Sequence, residues 1–109
     1  NEAHGVLKTG GATNPEQLFA AGYAACFENA VRFLAGQQKL PLKGAAVTAH
    51  VALHPRAEGG FKLGVSLDAE TQGLDQATAE TLVAAAHQVC PYSNAVRGNV
   101  DVGITVRAQ

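Results

Sequence analysis

The chain has 109 residues, enough for one domain and too few for two, and its net charge of −1 comes from acids and bases scattered along its length. No basic block interleaved with aromatics points to nucleic acid, and no polybasic run points to a membrane surface. The longest apolar run is too short for a bilayer span, no signal-peptide pattern opens the chain, and two distant cysteines are not a secreted disulfide framework, so the expectation is one cytoplasmic domain over residues 1–109.

Residues 1–13, NEAHGVLKTGGAT, are glycine-rich and read as irregular. The sequence lacks methionine and begins at Asn1, which raises the expectation of an N-terminally incomplete domain whose first strands are missing. Asn14 followed by Pro15 reads as an N-cap and first helical residue, because proline has no amide hydrogen to waste there. Gln17 would close a capping box on Asn14, and Glu16 would equally close one on Thr13. The helix predicted over 14–35 places Leu18, Gly22, Cys26, Ala30 and Leu34 at four-residue spacing, flanked by Phe19 and Phe33.

Residues 47–55 and 61–70 alternate in polarity, with Val47, Ala49, Val51 and Leu53 on one face, and Phe61, Leu63, Val65 and Leu67 on the other strand's matching face. The intervening RAEGG reads as a hairpin connection. A second helix is predicted over 74–89 with Asp75 as its N-cap. Pro91 disfavours helical geometry at Cys90, so the helix should break there. SNAVRG follows as a short helical turn ended by Gly98, and VDVGITV alternates as a last strand. The order helix, strand, strand, helix, strand predicts an α+β fold with helices on an antiparallel sheet. Both helices are apolar nearly all round, more than so small a sheet covers, so missing strands, a partner copy or both are expected to cover the rest.

Cys26 and Cys90 pose the functional question. A cysteine inside a helix is often a small buried hydrophobe, and one at a helix end can be the same. With His87 three residues before Cys90, a metal site with Cys26 can be drawn, but it lacks a fourth ligand and paired-ligand spacing. As a redox pair, Cys26 would need to be a thiolate, and a mid-helix position draws little help from the helix dipole. A cation would have to supply the activation. Glu16 could be a first-turn acid that merely suits the dipole, and ten helical residues separate it from Cys26 by about 15 Å.

TNPEQLFAAGYAACF around Cys26 and AHQVCPYSNAVRGNVDV around Cys90, 64 positions apart, resemble the organic hydroperoxide resistance proteins of the Ohr/OsmC family, and GNVDV resembles the Ohr branch in particular. The resemblance runs from about Gly10 to Val106. It implies the OsmC/Ohr-like fold, an intertwined homodimer built round two long helices, and a thiol peroxidase acting on organic, fatty-acid-type hydroperoxides. By motif position Cys26 matches the peroxidatic cysteine and Cys90 the resolving one. Glu16 matches a carboxylate that pairs with a catalytic arginine in the family's N-terminal strands. None of Arg32, Arg56, Arg97 and Arg107 occupies that arginine's motif. The resemblance further implies a dithiol reductant on a lipoylated protein, and no metal, haem or flavin cofactor. A redox-sensing or lipid-binding module of the same fold, without turnover, is the alternative. Phe19, Phe27, Phe33 and Tyr92 are read as core residues, some of which could also line a pocket for an alkyl chain.

Overall fold

The computed structural model describes residues 2–3 and 14–109, so the irregular stretch expected over 1–13 and the Thr13 arm of the alternative capping box fall outside the described residues, apart from a two-residue strand. The elements are β1 (Glu2–Ala3), α1 (Pro15–Gln37), β2 (Gly44–Pro55), β3 (Phe61–Gln72), α2 (Gln76–Val89), α3 (Pro91–Val96) and β4 (Val102–Ala108). The α+β expectation holds, with the helices on one face of a sheet ordered β1-β2-β3-β4.

Helix α1 starts as its sequence dictates. The Asn14 side chain accepts a 2.8 Å hydrogen bond from the Gln17 amide, satisfying one of the first-turn donors, and such a cap contributes about 1 kcal/mol. The helix runs two residues past its expected end because Gly36 stays helical. Lys39 instead adopts the left-handed conformation, φ 55°. The amides of Leu40 and Lys39 then turn back to the carbonyls of Ala35 and Gly36, closing the last turn. The helix is continuous through Gly22.

The buried face of α1 is set by Ala20, Ala21, Tyr23, Ala24, Phe27, Ala30, Val31, Leu34 and Ala35. The stripe expected from the sequence, Leu18, Gly22, Cys26, Ala30 and Leu34, lies in the core at Ala30 and Leu34 and leaves it toward the N-terminus. Leu18 is exposed, and Gly22 and Cys26 are half-buried at the margin. Four-residue spacing drifts round a helix of 3.6 residues per turn, which is why that row leaves the core at one end.

The sheet's inner face is built in rows. Val51, Val65 and Val102 lie side by side, as do Ala49, Leu67 and Ile104, and then Val47, Ala69 and Val106. Strands β2 and β3 are antiparallel as expected, β1 pairs antiparallel with β2 in a stretch read as irregular, and β4 joins β3 in parallel. A parallel neighbour needs a crossover, and α2 with α3 supplies it. The far end of the β2–β3 hairpin runs past the helices, so Leu53 and Phe61, expected on the core face, stand exposed, Phe61 to 69%. Phe33 on α1 is exposed to 62%. Among the described residues no helix is long and apolar enough to cross a membrane.

The corner between β3 and α2 aims α2. Gly73 holds φ 97° there, and a Cβ on it would overlap the carbonyl oxygen of Pro41. Gly59, in the hairpin, holds φ 100° with nothing near its missing Cβ. Alanine is strained at both positions, but only at Gly73 must the backbone also move. Gly73→Ala is expected to lower the free energy of unfolding by more than Gly59→Ala does, the excess being at least about 1 kcal/mol. Equal losses in urea titrations would show that the Pro41 contact is slack.

Candidate active site

Cys90 is both the last residue of α2's hydrogen-bond ladder and the N-cap of α3. Its amide bonds to the Ala86 carbonyl at 2.8 Å, and its own carbonyl accepts from the Asn94 amide at 2.9 Å. Pro91 excludes the helical conformation at Cys90, which takes φ −67° and ψ 124°. The break turns the Cys90 side chain toward α1, where it is fully buried. Cys26 lies opposite, on the margin of α1's buried face, with part of its surface open.

The two sulfurs are 3.4 Å apart, with the Cys90 thiol directed at Cys26. Both thiols are free. A disulfide needs about 2.05 Å between sulfurs, so the pair is in contact and unbonded. Residues 64 positions apart in the chain are thus brought together by the packing of α1 against α2 and α3.

Burial pushes the Cys26 thiol above its ordinary pKa. The backbone N–H of Tyr92 pulls it partly back, and the neighbouring Cys90 raises it again. Among the described residues no cation contributes. All four arginines are engaged elsewhere: Arg32 on Glu28 at 3.1 Å and the Ala45 carbonyl, Arg56 on Glu58 at 3.4 Å, Arg97 on the His87 carbonyl at 2.6 Å, and Arg107 on Glu70 at 3.0 Å. Glu16 is half-buried in the first turn of α1, and among the described residues no hydrogen bond or ion pair links it to either cysteine.

His87 is drawn away from the thiols' metal reading. Its Nδ1 is 2.8 Å from the Ser93 hydroxyl, and among the described residues no three His, Cys, Asp or Glu side chains gather as metal ligands. Burial lowers the His87 pKa and Arg97 lowers it further, which favours a neutral ring. Ser93 in turn sits 2.6 Å from the Tyr23 hydroxyl. The chain Tyr23–Ser93–His87 was not singled out from the sequence. The signal was there, since Tyr23 precedes Cys26 by three residues and His87 and Ser93 flank Cys90 by three, but spacing does not say which helix faces which.

An aromatic group stands over the first turns of α1. Phe19, Tyr23 and Tyr92 have ring centroids 5.8 to 6.2 Å apart. Tyr92 can lie that close because Gly22 has no side chain: a Cβ there would be 2.9 Å from the Tyr92 hydroxyl. Phe27 is plain core, fully buried, and Phe33 faces outward.

A helix-borne thiol facing a second thiol at a proline break, on this α+β frame, defines a class. The family described as OsmC-like protein matches residues 8–105, and the chain belongs to it. Its relatives place it in the organic hydroperoxide resistance, or Ohr, branch. The organic hydroperoxide resistance protein of Xanthomonas axonopodis pv. citri (strain 306) is 52% identical over 98 residues, which are 89% of this chain and 68% of that protein. The crystal structure of an organic hydroperoxide resistance protein from Legionella pneumophila matches with a TM-score of 0.86 at 62% identity, over 91% of this chain and 72% of that one. OhrB of Bacillus subtilis matches with a TM-score of 0.84 at 48% identity, over 89% of this chain and 72% of that one.

With burial dominant and no arginine acting on it, Cys26 should titrate late. Its alkylation rate by iodoacetamide, followed by peptide mass against pH, is expected to rise with a midpoint above the free-cysteine value of about 8.5. A midpoint well below that value would mean that some other group stabilises the thiolate.

Proposed function

We propose that this chain acts in organic hydroperoxide defence as a thiol-dependent peroxidase, with Cys26 peroxidatic and Cys90 resolving. The observation that carries the reading is the 3.4 Å approach of two free thiols from separate helices, one partly open and one fully buried. The open thiol can meet a peroxide; the buried one can meet only its neighbour.

The Cys26 thiolate attacks the terminal oxygen of R–O–O–H. The O–O bond breaks, the alkoxide takes a proton and leaves as alcohol, and Cys26 becomes a sulfenic acid. Cys90 then attacks the Cys26 sulfur. The S–O bond breaks, the hydroxide leaves as water with the proton from Cys90, and a Cys26–Cys90 disulfide forms. An external dithiol, of the kind carried by lipoylated proteins, reduces the disulfide by thiol exchange. The apolar surroundings, with Phe19 and Tyr92 at the rim, favour alkyl and fatty-acid-type hydroperoxides over hydrogen peroxide. Cycling between thiols and disulfide suits the reducing cytoplasm. The exposed Leu18, Phe33 and Phe61 support a homodimer in which a second copy covers them.

Activation is the demanding part. Cys26 needs a cation to become a good nucleophile at neutral pH, and a guanidinium held by Glu16 fits that need: it can span a gap that the carboxylate cannot. The adjacent free thiols also fit a second reading, a redox sensor that reacts about once per chain. Turnover separates the two, since only an enzyme consumes many equivalents of peroxide with a dithiol present.

Two substitutions test the roles. Cys26→Ser is expected to drop the consumption of an alkyl hydroperoxide to background, because a hydroxyl is no substitute for a thiolate. Near-parental turnover in that variant would remove Cys26 from the mechanism. Cys90→Ser is expected to keep the first turnover and leave Cys26 as a sulfenic acid prone to further oxidation. Mass spectrometry after one equivalent of peroxide reads this out. A variant that fails to react at all, or still loses two hydrogens, would contradict the resolving role.

A further inference from the structure

The Ser93 hydroxyl is fully buried and stands between two groups from different helices, the Tyr23 hydroxyl of α1 at 2.6 Å and the His87 Nδ1 of α2 at 2.8 Å. Tyr23 is itself fully buried. Each member is one helical turn from a thiol: Tyr23 is three residues before Cys26, His87 three before Cys90, and Ser93 three after it. Burial raises the Tyr23 pKa, and both thiols, as anions, would raise it further, which places that hydroxyl within electrostatic reach of the pair.

The corner carrying Cys90 has few other ties to α1. Its backbone bonds run along its own helices, to Ala86 and Asn94. Arg97 staples the end of α3 to the His87 carbonyl, which again joins α3 to α2. Among the described residues, α3 is tied to α1 by the Tyr92 backbone N–H on the Cys26 sulfur, by the Tyr92 ring against Phe19 and Tyr23, and by the Tyr23–Ser93 bond, which apart from the contact of the thiols is the one hydrogen bond there between two side chains. We propose that Ser93 is a positioning residue for the resolving step, its hydroxyl tying Tyr23 to His87 so that Cys90 stays within reach of the Cys26 sulfur. This rests on the thiol-peroxidase reading above.

The chemistry makes such a tie matter at one stage only. The first step needs Cys26 and a peroxide. The second needs the Cys90 sulfur to move from contact distance to bonding distance while Cys26 carries an oxygen. A sulfenic acid that waits meets a second peroxide: Cys26–SOH and R–O–O–H give Cys26–SO₂H and R–OH. The ratio of sulfinic acid to disulfide therefore reports the rate of the resolving step against a fixed competitor. It is a partition within each reacted molecule, so it is read on protein shown to be folded, where the yield of folded chain does not enter.

The experiment measures that ratio by mass spectrometry, at fixed excess cumene hydroperoxide and without reductant, in the parent, Ser93→Ala, Tyr23→Phe, the double variant and Cys90→Ser. Ser93→Ala and Tyr23→Phe are each expected to raise the ratio at least tenfold, with the first-step rate of Cys26 within threefold of the parent. The double variant should be no worse than either single one, because both remove the same bond. If Ser93→Ala fails to fold, Tyr23→Phe alone decides, since it deletes one oxygen and keeps the ring. A parental ratio in the folded variants, while Cys90→Ser shows a high one, overturns the role of Ser93 and leaves the peroxidase reading standing. A parent chain whose ratio already equals that of Cys90→Ser has no resolving step, and both readings fall.

Discussion

A proline one residue after Cys90 forbids that cysteine from continuing α2, and the geometry of the thiol pair follows from this steric constraint. The ring of Pro91 would clash with a helical residue before it, so the chain turns extended for one residue and restarts as α3. Because Pro91 is the first residue of α3, its missing amide hydrogen leaves no donor unsatisfied. The Cys90 carbonyl still finds the Asn94 amide, and its amide still finds Ala86. The break thus leaves both backbone groups of Cys90 paired, and its product is a thiol aimed sideways into α1. A straight continuation of α2 would have carried Cys90 round the helix with its neighbours.

The same packing that joins the sulfurs works against their reactivity. Apolar surroundings hold Cys26 protonated, and the Tyr92 amide offsets this only in part. A shift of one pKa unit is about 1.4 kcal/mol between thiol and thiolate, so a single guanidinium in contact is large on this scale. Under the peroxidase reading burial also confers specificity, since a surface that repels charge accepts an alkyl chain. The site therefore holds the Cys26 thiol toward its neutral form, and under the proposed peroxidase reading it needs one well-placed cation. In that reading Glu16, ten residues before Cys26 on the same helix, orients the cation and does not act on sulfur itself.

Much of the fold was legible because it rests on local chemistry. Asn14-Pro15, Asp75 and Cys90-Pro91 each state a backbone geometry, and each is found where the sequence placed it. The alternating strands were legible for the same reason, as the inner row of each takes every second position. What misled was non-local. The stripe on α1 leaves the core at one end because one spacing was followed over more than four turns, and Leu53 and Phe61 are exposed because alternation marks a strand's face and not how far the core extends along it. The parallel pairing of β4 depends on where α2 returns the chain, which no strand motif records. At the site, the cysteines were visible by residue type and motif. Ser93 was not, since a serine in a helical turn has many uses, and only the facing of α1 and α3 gives this one two partners.

The central claim is that Cys26 and Cys90 of one chain form a single redox unit driven by organic peroxides. The most direct measurement treats the reduced protein with one equivalent of an alkyl hydroperoxide and maps its peptides by mass spectrometry without reduction. The account predicts a chain lighter by two hydrogens, one equivalent of alcohol, and a cross-linked peptide pair holding Cys26 and Cys90 of the same chain. Two unmodified thiols, or a disulfide joining separate chains, would contradict it.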